Sequence, residues 1–85
     1  MDMKSRPMIN ERVSWKDFKQ KVITDTGHAM NDVGSEIWKL CDGKHTIRQI
    51  VDSITQNFDV SVRQAEKDVL SFLRELEEAN LVSLK

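Results

Sequence analysis

The spacing of apolar residues changes near residue 31 of this chain. Before that point the pattern is short and two-fold: Val13 and Trp15 share a face, and a β-branched run at 21–24 leads into turn residues at 25–27. This pattern predicts a small, twisted antiparallel sheet of three short strands. The strands are expected at residues 11–15, 20–24 and 28–30.

After this point the spacing is helical and predicts three helices. The first helix begins at Asn31, and Asp42-Gly43 ends it. Its apolar positions are Val33, Ile37, Leu40 and Cys41. Thr46 with Gln49 forms a capping-box pattern that opens the second helix. Its apolar positions are Ile47, Ile50, Val51, Ile54 and Phe58.

The third predicted helix is the longest. Ser61 with Gln64 repeats the capping-box pattern at its start, and Asn80 is placed to end it. Its apolar positions are Val62, Ala65, Val69, Phe72, Leu73, Leu76 and Ala79. The remaining residues, 81–84, fit either a strand or a segment that seals the core. A small sheet followed by three helices with tight corners is an α+β fold with helix-turn-helix geometry.

Composition narrows the possible functions. The chain has 85 residues, enough for one domain, and a net charge of −1, which is the wrong sign for binding nucleic acid through phosphates. Cys41 is the only cysteine, so an internal disulfide is excluded and a reducing cytoplasm fits best. The sequence lacks a signal-peptide pattern and a run of about 18 apolar residues, so we expect no membrane span.

No residue pattern in the chain predicts catalysis, a metal site or a cofactor. The Asp25-Thr26-Gly27 triplet resembles that of aspartic proteases, but those are mostly β and need a second aspartate, so a turn is the better interpretation. His28 and His45 lie 17 residues apart on different elements, with no second pair of ligands at i+3 or i+4, so a zinc site is not expected. Cys41 lies on an apolar helix face, where a thiol usually behaves as a small hydrophobe.

The two tryptophans have different expected roles. Trp38 lies beside the apolar stripe of the first helix, as expected for a core residue packed between that helix and the sheet. Trp15 lies on the first predicted strand, where it could anchor either the core or a partner. The sequence leaves both roles of Trp15 open.

The charges on the third helix argue against DNA binding. Between Ser61 and Ala79 there are three basic and five acidic residues, a local charge of −2. The basic residues nevertheless share one sector with a leucine, which we call the basic face. It consists of Arg63, Lys67, Leu70 and Arg74. It is either a solvated face with an incidental leucine or a docking face with cationic edges.

Two long segments resemble the PqqD-like family, whose members are also called RiPP recognition elements. They read TGHAMNDVGSEIWKLCDGKHTIRQIVDSI and DVLSFLRELEEANLV. The resemblance spans about residues 20–84. Its markers include Gly27, Met30-Asn31, Gly34, Ile37-Trp38, Asp42-Gly43, Thr46, Asp68-Val69-Leu70, Phe72-Leu73 and Leu81-Val82. It implies a winged-helix-like domain, with a flexible N-terminus over residues 1–10 and the single PqqD-like domain over 11–85.

The resemblance also implies a function. Family members are non-catalytic chaperones that bind the leader of a ribosomally made precursor peptide and present it to a tailoring enzyme. That enzyme is often a radical-SAM protein, in pyrroloquinoline quinone biosynthesis and related pathways. The leader adds as a strand to the third strand and lies between it and the third helix. Here the implied edge is His28, Ala29 and Met30.

Combining this implied binding mode with the basic face gives the full predicted site. An apolar leader side chain would rest on Met30 and Leu70, and leader carboxylates would meet Lys67 and Arg74. We expect a monomer or weak dimer, because so small a core leaves little apolar surface to spare. The alternative function is a winged-helix-like DNA-binding transcription regulator, although the chain after the third helix is too short for a wing.

Overall fold

A computed structural model describes residues 2–84, and these form three helices and four short strands. In chain order the elements are β1 (Pro7–Ile9), β2 (Trp15–Phe18), β3 (Lys21–Thr24), α1 (Asp32–Lys39), α2 (Ile47–Asn57), α3 (Val62–Glu78) and β4 (Val82–Leu84). The predicted α+β class is confirmed, as are the three helices. Residues 82–84 pair as a strand, which decides between the two interpretations of the C-terminal segment.

Side-chain caps begin all three helices. The reciprocal capping box of α2 is complete: the amide of Gln49 donates to Thr46 Oγ1 at 3.2 Å, and the amide of Thr46 donates to Gln49 Oε1 at 2.8 Å. In α3 only half of the predicted box forms. The amide of Gln64 donates to Ser61 Oγ at 3.1 Å, but the side chain of Gln64 donates to Asp68 instead.

The predicted three-stranded sheet is incomplete. β2 and β3 pair as an antiparallel hairpin, but β2 begins at Trp15, because the chain turns tightly at Asn10–Val13 and leaves no extended run before it. The third predicted strand is reduced to one bridge between Ala29 and Ile23. The reason is local, since Asn31 caps α1 immediately after Met30 and stops any further pairing.

The segment predicted as a flexible N-terminus, residues 1–10, contains a strand in its second half. Pro7–Ile9 forms β1, which pairs antiparallel with β4. Farther back, the carbonyls of Ser5 and Met3 accept the first amides of α2, from Ile47 and Arg48, at 2.9 and 3.0 Å. Those amides have no partner within their own helix, so the segment satisfies them. Met1 and Lys85, the outer ends of the predicted segments, lie outside the described residues.

One apolar core joins the sheet to the helices. Trp38 is fully buried, as predicted, and its ring meets Trp15 edge to face with centroids 6.1 Å apart. Trp15 is 38% exposed, so it contacts the core and solvent at once. Cys41 is buried, and burial raises the pKa of its thiol to about 12, so the thiol stays protonated. This buried position agrees with the interpretation of Cys41 as a small hydrophobic residue.

We predict that Ser61→Ala lowers the free energy of unfolding by about 1 kcal/mol, because it removes the acceptor for the amide of Gln64 at the start of α3. Denaturant titration measures this change. Ser71→Ala is the matched control, since it makes the same chemical change inside α3 without removing a cap. Equal stability of Ser61→Ala and the unmodified chain would contradict the assignment of this cap.

Candidate functional site

A groove of about 450 Å³ runs between the end of the sheet, the start of α1 and one face of α3. It is lined by Ala29, Met30, Asn31, Val33, Gly34, Ile37, Asp68, Ser71, Phe72 and Glu75. We call these residues the groove. The α3 members follow the i, i+3, i+4, i+7 spacing of one helix face, so a single row of that helix forms the wall.

The side of the groove formed by residues 29–31 carries an open strand edge. Met30 donates its amide to the carbonyl of Val22, and His28 accepts the amide of Thr24, both at 2.9 Å. Because successive peptide groups in a strand point to opposite sides, the amide and carbonyl of Ala29 point away from β3. Among the described residues, no backbone hydrogen bond engages either group. Ala29 therefore offers one donor and one acceptor to an added strand.

The hydroxyl of Ser35 holds this edge in place. Its Oγ accepts the amide of Val22 at 2.8 Å and donates to the carbonyl of Met30 at 3.3 Å. Ser35 is 1% exposed, so this bridge between α1 and the sheet is shielded from water. Ser35 is not among the residues predicted from the sequence to form the site. The available signal was a polar residue at a position of α1 that faces the core.

Gly34 lets α1 approach α3 closely at the floor of the groove. A Cβ at this position would lie 3.1 Å from Cζ of Phe72 and 3.2 Å from Oδ1 of Asn31. That side-chain oxygen caps α1 by accepting the amide of Gly34 at 2.8 Å. The ring of Phe72 and the side chain of Met30 can therefore form a continuous apolar floor beside the strand edge.

The structure brings two of the seven predicted site residues into the groove. Ala29 and Met30 line it, whereas His28 is turned into the preceding loop, where its Nδ1 lies 3.1 Å from Thr26 Oγ1. The Asp25–Gly27 segment is the predicted turn, and Gly27 has a φ of +91° that favours glycine.

The basic face does not line the groove, which corrects the predicted placement of Lys67, Leu70 and Arg74 opposite Met30. Successive helix residues are 100° apart, so the sector of Arg63, Lys67, Leu70 and Arg74 lies about a third of a turn away from the groove wall. Glu66, near that sector, contacts Arg48 of α2 at 3.0 Å. The basic face thus lies toward α2, and its role in peptide binding stays a prediction.

The groove is acidic. Asp68 and Glu75 contribute carboxylates, and no Lys, Arg or His occurs among the described lining residues. Oδ1 of Asp68 accepts the side-chain amide of Gln64 at 2.8 Å, which leaves the charge without a cationic partner. Neither carboxylate is among the site residues predicted from the sequence. Their signal was the spacing of seven residues, which places them on the same face as Phe72.

A second surface lies on the β2–β3 hairpin. Phe18 and Ile23, 62 and 43% exposed, lie on its outer side, and Trp15, 38% exposed, borders them from the core side; we call these three residues the hairpin face. The two-residue turn that follows β2 has positive φ at Lys19 (52°) and Gln20 (68°), as in a type I′ turn. Lys19 and Gln20 thus adopt the left-handed conformation that glycine and asparagine favour, because the tight hairpin requires it.

Residues 2–84 offer neither a metal-binding cluster of side chains nor a membrane-spanning helix. This part of the chain contains no cluster of three or more His, Cys, Asp or Glu side chains that could hold a metal ion. It also contains no helix whose length and apolar character would let it span a membrane.

Comparison with known proteins agrees with this architecture. The family model for coenzyme PQQ synthesis protein D (PqqD) matches residues 21–82, and the chain therefore belongs to the PqqD family. It is also similar to a solved structure described as TbiB1 in complex with the TbiA(beta) leader peptide. The two chains share 28% identity and a TM-score of 0.80, over 89% of this chain and 94% of that chain. No curated protein sequence gives a significant match.

We predict that Ser35→Ala lowers the free energy of unfolding by about 1–3 kcal/mol, because it leaves the buried amide of Val22 without its acceptor. Hydrogen exchange at the Val22 amide should accelerate in the same variant. Ser53→Ala, on the half-buried side of α2, is the control. Unchanged exchange at Val22 would show that another group satisfies this amide.

Proposed function

We propose that this chain is a non-catalytic peptide-binding protein. It binds the leader of a ribosomally made precursor peptide by strand addition and presents the peptide to a modifying enzyme. The observation that carries the proposal is the open edge of Ala29 beside an apolar floor. Membership of the PqqD family, and the leader peptide bound to the similar TbiB1, support it.

The mode of binding follows from the groove. A leader strand that lies along residues 28–30 would exchange hydrogen bonds with the amide and carbonyl of Ala29, which gives affinity without regard to sequence. An apolar leader side chain would rest on Met30 and Phe72. The pocket under that side chain, and not the backbone pairing, would distinguish one leader from another.

We assign no chemical step to this chain. The polar side chains of the groove are Asn31, Asp68, Ser71 and Glu75, and these described lining residues include no His or Lys that could pair with the Ser71 hydroxyl as its activating base. The thiol of Cys41 lies buried in the core with its pKa raised. Chemistry would therefore come from the partner enzyme, for which a radical-SAM protein is one candidate. We expect both proteins to meet in the cytoplasm, with this chain as a monomer or weak dimer.

The hairpin face suits contact with that enzyme. Three exposed lysines, Lys16, Lys19 and Lys21, surround its apolar side chains, and Lys19 Nζ lies 5.5 Å from the centroid of the Phe18 ring. A matching partner surface would offer an apolar side chain bordered by carboxylates. A second copy of this chain fits poorly, because its own lysines would face these three.

The central test is a chemical-shift titration of labelled protein with the precursor peptide encoded beside its gene. We expect shifts at Ala29, Met30 and Phe72, and slower hydrogen exchange at the Ala29 amide in the complex. Shifts confined to α2 or to the basic face would contradict this site even if the peptide bound.

Ala29→Pro is expected to weaken peptide binding by about tenfold or more, because proline removes the amide offered to the added strand. Ala29→Ser keeps the amide and should bind within about twofold of the unmodified chain, since a small surface substitution usually changes a free energy by less than about 0.5 kcal/mol. Circular dichroism checks that both variants fold. If Ala29→Pro is folded and binds normally, strand addition at this edge is wrong.

Phe18→Ser is expected to weaken binding of the modifying enzyme encoded beside the precursor, while peptide affinity changes by less than about twofold. The reason is that Phe18 is 62% exposed and lies outside the groove. Titration calorimetry with the enzyme and with the peptide separates the two effects. Val62→Ser is the control, because Val62 is a large exposed apolar residue on α3 outside both surfaces. Equal loss in both variants would argue against the hairpin face.

A further inference from the structure

We infer that the groove selects a peptide segment in which a lysine or arginine lies two positions from an apolar residue. This inference rests on the proposed function and adds the chemical class of the peptide. It follows from the two carboxylates of the groove, Asp68 and Glu75, and from the ring of Phe72 that lies between them on α3.

The charge of the groove is local and uncompensated. The chain as a whole is almost neutral, with a net charge of −1, yet the described groove residues carry two acidic side chains and no basic one. Asp68 is paired with the neutral amide of Gln64. Among the described residues Glu75 makes no ion pair within 4.0 Å. Both carboxylates are therefore available to a ligand.

The nearest basic residues of α3 form no ion pair with these carboxylates among the described residues. Lys67 and Arg74 are adjacent to Asp68 and Glu75 in sequence, but adjacent helix residues point 100° apart. Lys39 of α1 is also engaged, with its Nζ 2.6 Å from Asp17 Oδ2. A bound peptide could therefore supply the cation that these carboxylates lack.

If a peptide adds as a strand, the charge of the groove would determine which peptides bind. A peptide that covers the groove removes water from both carboxylates, and a desolvated charge without a partner is costly. An acidic peptide side chain at the same place would add repulsion. A lysine or arginine would instead form a charge-assisted hydrogen bond. Selectivity arises from the difference between these two cases.

The spacing of α3 residues gives the predicted sequence pattern. Asp68 and Phe72 are four residues apart, which corresponds to about 6 Å along the helix axis. Strand residues i and i+2 point to the same side and are about 6.6 Å apart. A peptide whose apolar side chain rests on Phe72 therefore places the side chain two positions away next to Asp68. The side chain two positions away on the other side of the apolar residue then approaches Glu75.

The test uses a random 12-residue peptide library displayed on phage and selected against three forms of the protein. These are the unmodified chain, the groove variant Asp68→Asn/Glu75→Gln, and the control variant Glu77→Gln/Glu78→Gln. The control removes the same charge from exposed positions of α3 outside the groove. We expect Lys or Arg two positions from an apolar residue to be enriched by the unmodified chain and the control, but not by the groove variant.

A synthetic copy of the most enriched peptide then quantifies the effect. Replacing its basic residue with glutamine should weaken binding to the unmodified chain about fivefold and to the groove variant less than about twofold, by fluorescence anisotropy at low salt. Higher salt should weaken binding to the unmodified chain more than to the groove variant. Thermal unfolding checks that all three forms fold.

The outcomes separate the inference from the proposed function. If enriched peptides protect the Ala29 amide but carry neutral or acidic residues at the predicted position, strand addition stands and the charge selection is overturned. Equal enrichment of Lys or Arg by the groove variant overturns it as well. If no peptide protects the Ala29 amide, the proposed function fails, and this inference fails with it.

Discussion

The hydroxyl of Ser35 is the contact on which the rest of the site depends. It joins the amide of Val22 in β3 to the carbonyl of Met30 and lies in the core face of α1, so one buried group links the sheet, the edge and the helix. A single hydroxyl supplies one donor and one acceptor, and here both are used. The free amide and carbonyl of Ala29 are consequently held beside the groove by this buried, hydrogen-bonded contact.

A short edge beside a helix cap has a physical advantage. An exposed strand edge invites aggregation, and proteins limit this by keeping such edges short or interrupted. Here Asn31 ends the pairing after one bridge because its side chain caps α1. The remaining edge is too short to pair with another copy of itself over many residues. It nevertheless lies next to the apolar floor, where burial of an apolar side chain would stabilise a bound peptide.

The positions of the charged residues matter more in this protein than the net charge of the chain. The net charge of −1 excludes a strong general attraction to polyanions, but it conceals an acidic groove and a basic face on opposite flanks of the same helix. The helix phase, which separates Lys67 from Asp68 by 100°, creates two surfaces of opposite sign. The lysines around the hairpin face add a third surface, apart from the groove.

Local patterns determined the elements but not how they meet. The capping residues Thr46 and Ser61 and the stripes of apolar residues placed the three helices correctly, because caps and periodicity act within a few residues. The family resemblance placed Ala29 and Met30 at the edge of the site. Phe72 was recognised only as part of the α3 stripe, although it also forms the groove floor.

Tertiary packing decided the remaining features. β1 was missed because its three residues pair with β4 at the other end of the chain, a long-range contact with no local signal. The wall of the groove was assigned to Lys67 and Arg74, whereas α1 packs beside Asp68 and Glu75. Periodicity shows which residues share a helix face. Only the packing of neighbouring elements decides which element lies against each side of that helix.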